Sequence, residues 1–153
     1  MQMIDATDLK ILKALQFDAS LSVSDLGKRS GVSAAVVTRR IAAMERAGVI
    51  EGWTVDLDPR ALGYEVSVSL RITLDKTAPR AFDDFIAAAR EVAEIDAIQT
   101  LLGRVDVRLN VLARDLEHYQ EIYRDKILAL PNVLDIEALM LISDVKTVHE
   151  LPL

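Results

Sequence analysis

Three arginines in one short stretch, Arg39, Arg40 and Arg46, are interspersed with small and apolar residues. A guanidinium donates paired hydrogen bonds to a carboxylate, to a phosphate or to the edge of a guanine base. If the stretch is helical, Arg39 and Arg46 share one face with Ala35 and Ala42. Small neighbours on that face let a helix backbone approach a partner closely. The spacing favours insertion into a DNA groove, and arginines that only solvate a surface helix are the alternative.

The residues around these arginines predict two short helices joined by a tight turn. Ser22 is a helix N-cap with Asp25 three positions on, which is a variant of the capping box. Gly31 ends that helix in the left-handed conformation that glycine adopts cheaply. Ser33 caps the next helix and Gly48 ends it. This order is typical of a helix-turn-helix, whose second helix enters the major groove.

The second of these helices has a core side and an outer side. Val37, Ile41 and Met44 form the apolar stripe. We expect Arg39 to contact a base edge, and Arg40, at the shoulder of the helix, to contact a phosphate or an acidic side chain. The residues predicted to contact DNA are Ser33, Ala34, Ala35, Thr38, Arg39, Arg40 and Arg46. A preceding helix, capped by Thr7, completes a three-helix core.

Charge is distributed unevenly along the chain. The net charge is −6, yet residues 1–55 hold seven basic and six acidic residues, so they are net +1. The acidic excess therefore lies in the later residues, which we expect to sit away from DNA. The 153 residues suit two small domains, and a hydrophobic share of 51% is enough to form real cores.

The stretch after Gly48 predicts a short two-stranded wing or an extended strand leading out of the domain. Trp53 lies in it, either as a wing residue on DNA or, as we favour, packed at the domain junction. Pro59 stiffens the segment that follows. We predict a DNA-binding domain at residues 1–55, a linker at 56–62 and a second domain at 63–153.

The second half predicts the order β-α-β-β-α-β. Val66, Val68, Leu70, Ile72 and Leu74 alternate with polar residues, as in a strand with one buried face. Two more strands, two helices and a final strand follow, which is the ferredoxin-like arrangement. The fold class is therefore α+β, with one sheet face left without helices. We expect apolar positions on that bare face and infer that a second copy covers it, giving a dimer.

Several function classes find no support in the sequence. The chain has no cysteine, so thiolate metal sites and disulfides are excluded. It has no long apolar run and no signal-peptide pattern at its start, so we expect a cytoplasmic protein without a membrane partner. Neither His118 nor His149 has a nucleophile or a ligand cluster nearby in sequence. We expect no enzymatic activity, no metal and no cofactor.

Taken together, five stretches resemble the Lrp/AsnC family of bacterial and archaeal transcription regulators. The resemblance covers essentially the whole chain, and it rests on all five stretches occurring in order. They are DLKILKALQ from Asp8, GVSAAVVTRRI from Gly31, MERAGVIEGW from Met44, GRVD from Gly103 and VKTVHELPL from Val145.

The resemblance implies a DNA-binding head, a hinge and a domain that dimerises and senses a small effector, usually an amino acid. Family members commonly form dimers that assemble into octamers, with the effector bound between dimers. The effector turn corresponds here to Gly103, Arg104 and Asp106. Glycine permits close approach to the backbone, whose N–H groups suit a zwitterion.

This sequence departs from the family pattern at several positions. Arg104 stands where acidic or polar residues are common, and Leu102 stands where threonine is common. Ala138 and Leu139 replace hydroxyl residues. Arg104 and Arg108 either hold an effector carboxylate or form surface ion pairs. Ala42 and Ala43 replace residues that are often basic. The resulting alternative is an effector-sensing dimer with little or no DNA binding.

Overall fold

The computed structural model describes residues 4–143, 145 and 151–153. The chain forms two compact units, of which the first comprises Met1–Asp56 with Lys146–Leu153 and the second Leu57–Val145. The last residues thus group with the first unit, whereas the sequence placed them in the second domain. Among the described residues, no helix has the length and apolar character needed to span a bilayer.

The first unit contains three helices packed around a small core. Helix α1 spans Ala6–Phe17, α2 spans Val23–Ser30 and α3 spans Ala34–Arg46. Each helix contributes to one cluster of buried side chains, so none of the three buries its apolar face alone. The buried members of this cluster are Ile11, Ala14, Leu26, Val37 and Met44.

The N-terminus of α1 is capped by Asp5 and not, as the sequence predicted, by Thr7. The Asp5 carboxylate accepts hydrogen bonds from the N–H groups of Thr7 and Asp8 at 2.8 and 2.9 Å. The Asp8 carboxylate in turn accepts the Asp5 N–H at 3.1 Å, which completes a reciprocal capping box. Thr7 therefore lies inside the helix.

The caps predicted for α2 and α3 are confirmed. The Ser22 hydroxyl accepts the N–H of Asp25, and the Ser33 hydroxyl accepts the N–H of Val36. Gly31 has φ 76°, in the left-handed region. Gly48, at φ 71°, follows the end of α3. These short-range interactions fix where each helix begins and ends.

Gly27 shapes the turn between α2 and α3, a role that was not predicted. A Cβ atom at this position would lie 2.6 Å from the backbone oxygen of Val32. The Gly27 carbonyl also accepts the N–H groups of Gly31 and Val32, at 2.9 and 3.0 Å. The turn is thus folded directly against a helix residue that has no side chain.

The predicted two-stranded wing is not formed by the described residues, because residues 51–58 carry no strand. Trp53 lies in this segment with 53% of its surface exposed. Its indole N–H donates to Glu45 Oε1 at 2.8 Å, so the ring is held against the end of α3. A single turn of 3-10 helix, Arg60–Leu62, occupies the predicted linker.

The second unit has the predicted β-α-β-β-α-β order. The elements are β1 at Val66–Leu74, α4 at Ala81–Arg90, β2 at Ile95–Thr100, β3 at Val107–Ala113, α5 at Leu116–Ile122 and β4 at Val133–Met140. The sheet is antiparallel with strand order β2-β3-β1-β4. Helix α5 continues into one turn of π-helix at Tyr123–Ile127.

Both helices of this unit pack on one face of the sheet. Leu70 and Leu109 are opposite each other in the β1–β3 ladder and lie under Phe85 of α4 in one buried cluster. Alternation along the same strands places polar side chains on the other face. They include Ser67, Ser69, Arg71, Arg108 and Asn110. Leu112, opposite Ser67, and Leu139, opposite Ser69, lie on the same face. The expected apolar positions are therefore present, but polar residues surround them.

Candidate nucleic-acid interface and effector loop

Helix α3 has the two faces that its sequence predicts. Val37 and Met44 are fully buried against α1 and α2, and Ile41 packs beside them. Ala35, Thr38, Arg39 and Arg46 are exposed on the other side, while Ala34 and Ala42 are half-buried. The exposed face consists of small and cationic residues, so the helix backbone can approach a duplex.

Arg39 is available for a partner outside the chain. Within the part of the chain that the structure describes, its side chain forms no ion pair and no hydrogen bond. The neighbouring Thr38 hydroxyl donates to the Ala34 carbonyl at 3.0 Å and keeps its lone pairs for another donor. Arg39 and Thr38 therefore present a donor and an acceptor side by side.

Arg40, which was also placed in the DNA-contacting set, contacts two acidic side chains within the first unit. Its Nη1 lies 2.8 Å from Asp8 Oδ1 and 2.7 Å from Asp5 Oδ2, at the start of α1. These two carboxylates raise the pKa of the guanidinium, with the Asp8 hydrogen bond as the larger cause. Of the two partners predicted for Arg40, the acidic side chain is the one present. Arg40 joins α3 to α1.

The Arg40 pairing also explains why Asp8 tolerates burial. The Asp8 side chain is only 4% exposed, and a carboxylate so buried needs a charged or hydrogen-bonded partner. Arg40 supplies that partner, and the Asp5 N–H supplies another. The Arg40 Nε atom is buried without a hydrogen bond among the described residues. This guanidinium, 28% exposed, is thus paired with the two carboxylates at the start of α1.

Further cations surround the exposed face of α3. Lys28 and Arg29 occupy the last turn of α2, and both are exposed. Lys28 pairs with Asp25 at 3.2 Å, an exposed contact of small energy. The Ser22 hydroxyl hydrogen bond and Lys28 lower the pKa of Asp25, which therefore stays ionised. Arg29 of α2 and Arg39 and Arg46 of α3 are thus exposed cations of this unit.

The predicted effector turn is an exposed loop between β2 and β3. Gly103 has no atom within 4 Å of the position that a Cβ would take, and its φ is not positive. Neither packing nor backbone conformation within the chain requires glycine there. Leu102, next to it, is fully exposed. A larger side chain at position 103 would therefore meet no atom of the described residues.

Asp106 fixes the end of this loop. Its Oδ2 accepts the Leu74 N–H at 3.0 Å, and its Oδ1 lies 2.7 Å from Lys76 Nζ. The Lys76 ammonium, and after it the Leu74 N–H, lower the pKa of Asp106. Its carboxylate is 9% exposed and already bound on both oxygens. Asp106 therefore supports the loop, and its contact with an effector stays a prediction.

Arg104 and Arg108 are both exposed. The sequence left two alternatives for these side chains, an effector carboxylate or surface ion pairs. The ion pairs are not formed within the described part of the chain, in which Arg71 pairs with Glu137 at 3.3 Å. The Arg104 carbonyl accepts the Thr73 hydroxyl at 3.4 Å, which holds the loop backbone but leaves the guanidinium free to turn outward. Arg104 and the Gly103 backbone are thus the exposed polar groups of the loop.

The two histidines are placed differently. His118 Nδ1 accepts the backbone N–H of Arg114 at 3.2 Å, near the start of α5. This hydrogen bond gives His118 a local structural role. His149 lies outside the described residues. No cluster of three metal-ligating side chains occurs among residues that the structure describes.

Two family models match the chain. Residues 4–51 match the winged helix-turn-helix DNA-binding domain, which here comprises α1, α2 and α3. Residues 67–151 match the Lrp/AsnC ligand binding domain, which contains the antiparallel sheet except its first residue, Val66. The two matches together account for both units.

Curated relatives of known role extend over nearly the same length. The proline dehydrogenase transcriptional activator of Rhodobacter capsulatus is 36% identical over 131 residues, or 86% of this chain and 85% of that protein. The leucine-responsive regulatory protein of Escherichia coli K12 is 32% identical over 148 residues, covering 97% of this chain and 90% of the relative.

Solved structures agree with these matches. A transcriptional regulator of Neisseria meningitidis in complex with L-methionine has a TM-score of 0.91 at 25% identity, covering 98% of this chain and 97% of its own. An AsnC family transcriptional regulator from Agrobacterium tumefaciens has a TM-score of 0.88 at 31% identity, covering 97% and 96%. This chain therefore belongs to the Lrp/AsnC family of DNA-binding transcription regulators.

Proposed function

We propose that α3 reads a specific DNA sequence through Arg39, with Thr38 beside it and Arg46 and Arg29 on flanking phosphates. The observation that carries the proposal is the contrast between two adjacent arginines. Arg40 is paired with Asp8 of the same unit, whereas Arg39 is exposed and has no partner among the described residues. Ala35 and the cap residue Ser33 have small side chains, so the start of α3 can enter a DNA groove.

A mobility-shift and footprinting experiment on the DNA upstream of its own gene tests this function. A discrete footprint that survives excess unrelated DNA is expected. Affinity falls as salt rises because phosphate contacts release counterions. Binding that is equally strong on any DNA, or absent at low salt, contradicts the proposal and supports an effector-sensing module without DNA binding.

We further propose that a small effector, of the amino-acid class, binds at the loop of Gly103 and Arg104. The Neisseria relative holds L-methionine, and this chain resembles it over almost its full length. Gly103 leaves the backbone accessible, and the Arg104 guanidinium suits a carboxylate. Leu101 and Leu102 add exposed apolar surface for a side chain.

A thermal-shift screen of the twenty amino acids tests the effector. An amino acid that binds the native protein at a hundred times its Kd stabilises it by about 2.7 kcal/mol. The expected result is a melting shift with one or a few apolar amino acids, and its loss in Gly103→Val. A shift that persists unchanged in Gly103→Val places the effector elsewhere.

We propose that the second unit forms a homodimer that assembles further into an octamer. The polar sheet face offers charges of both signs, such as Arg71 and Glu137, which suit a self-complementary interface. Exposed apolar residues at the end of β4, Met140 to Ile142, add surface that a partner covers. Light scattering after size-exclusion chromatography checks this, and a monomer at micromolar concentration contradicts it.

A cytoplasmic location follows from the proposed role, because DNA lies in that compartment in bacteria and archaea.

A further inference from the structure

The first unit has an apolar cavity on the side formed by α1 and residues 49–54. Its volume is about 800 Å³, and its walls include Leu12, Leu15 and Trp53. None of the residues proposed to read DNA lines it. The remaining wall is made by Leu151 and Leu153, from the far end of the sequence. We call Leu151–Leu153 the tail segment.

The tail segment is held on α1 by polar contacts as well as apolar ones. Gln16 Oε1 accepts the Leu151 N–H at 2.6 Å, and Gln16 Nε2 donates to the Leu151 carbonyl at 3.4 Å. Lys13 Nζ donates to the Leu153 backbone oxygen at 3.2 Å. One side-chain amide thus binds both backbone groups of one residue, as a neighbouring strand does.

The sequence of the tail segment suits this site. Pro152 has a fixed φ and restricts the residue before it to extended conformations. Leu151 therefore presents its N–H and carbonyl to Gln16 with little loss of chain entropy. Leu153 is the more deeply seated leucine, at 40% exposed against 66% for Leu151. Proline also lacks an N–H, so no donor is left unpaired beside the apolar wall.

We propose that this groove is a recognition site for the tail segment of the same chain. The second unit precedes the tail segment in sequence and follows the first unit. When the tail segment is docked, the second unit is therefore attached to the first at both of its sequence ends. When the tail segment is released, only the covalent connection before the second unit remains. The groove is a separate site from the α3 surface, and the proposal does not rest on DNA binding.

Trp53 reports on the docking because it is the one tryptophan in the sequence and lines the same cavity. Trp53 is 53% exposed in the full chain, and in a chain shortened to end at Glu150 the loss of Leu151 and Leu153 exposes its indole ring further. The expected result is a red-shifted emission and faster acrylamide quenching than in the full chain. Adding the peptide KTVHELPL to the shortened chain reverses both changes in a saturable way.

Matched variants separate recognition from general loosening. Gln16→Ala in the shortened chain removes two hydrogen bonds and weakens peptide binding at least about fivefold. Gln16→Glu keeps the acceptor for the Leu151 N–H and gives an intermediate loss. Lys10→Ala, on the exposed side of the same helix, leaves peptide binding unchanged, whereas Lys13→Ala weakens it.

Two outcomes overturn the proposal. One is a shortened chain whose Trp53 emission and quenching match those of the full chain. The other is equal binding of KTVHELPL and the control peptide KTVHEAPA, since the second lacks both leucines. Because neither measurement contains DNA, a failure here does not affect the proposed reading of DNA by α3. A failed footprint likewise does not affect the proposal that the groove binds the tail segment.

Discussion

The turn between α2 and α3 predicts how Gly27→Ala changes the free energy of unfolding. The structure decides the sign of this change as well as its size. In a helix, replacing glycine by alanine normally stabilises, because alanine is the better helix former by about 1 kcal/mol. Gly27 lies within α2, so propensity alone predicts that Gly27→Ala stabilises the first unit. The structure predicts the opposite, since the added Cβ meets the Val32 oxygen at 2.6 Å.

The size of the effect follows from that distance. An ordinary contact begins near 3.4 Å, so the Cβ and the Val32 oxygen must separate by several tenths of an ångström. The oxygen belongs to backbone, and the turn is tied to Gly27 by two hydrogen bonds. Overpacking of this kind costs about 1–3 kcal/mol. After subtraction of the gain in propensity of about 1 kcal/mol, a net loss of up to about 2 kcal/mol in the free energy of unfolding is expected.

Urea unfolding followed by Trp53 fluorescence measures this loss, because Trp53 belongs to the same unit. Gly52→Ala is the matched control: a Cβ there meets nothing within 4 Å, and φ is not positive. It is expected to be neutral or to stabilise by up to about 1 kcal/mol. A Gly27→Ala variant as stable as the wild type, or more stable, would refute the close packing of this turn.

Further predictions concern three charged or flexible positions. Arg40→Ala lowers the urea midpoint of the first unit because Asp8 is left buried without its charged partner, and an unchanged midpoint counts against the ion pair. Asp106→Asn destabilises the second unit at neutral pH, and the deficit shrinks as pH falls below about 4. The reason is that the pKa of Asp106 is lowered on folding, so its contribution exists above the ordinary value of 3.8 and is lost in acid. A deficit independent of pH, measured by thermal unfolding from pH 3 to 7, contradicts this assignment. Gly103→Val is expected to leave the melting temperature of the ligand-free protein within about 1 °C, since no chain atom lies near, and a large drop shows an internal role.

Features set by neighbours in sequence were predictable, and features set by distant residues were not. Ser22, Gly31, Ser33 and Gly48 act within a turn of helix, so residue type and spacing predicted their roles. The partner of Arg40 is 32 positions away in α1, and only the fold chooses between Asp8 and a phosphate.

The same distinction holds for features that were not predicted. The alternation of apolar and polar residues correctly predicted which side of β1 is buried. It did not predict the full set of residue types on the open face, because these depend on the partner that covers it. The contact between Gln16 and Leu151 joins positions 135 apart, and no periodicity reveals it. Asp106 was assigned to an effector by resemblance alone, whereas its hydrogen bonds to Leu74 and Lys76 arise from the sheet.

The central claim, that Arg39 reads a base while Arg40 holds the unit together, is tested most directly by one titration. Fluorescence anisotropy on the footprinted fragment compares wild type with Arg39→Ala, beside an unrelated fragment of the same length. Loss of a bidentate base contact costs about 1–3 kcal/mol, so specific affinity should fall about 5- to 150-fold with little change on unrelated DNA. Equal specific affinity in the two proteins, with both folded, would contradict the account.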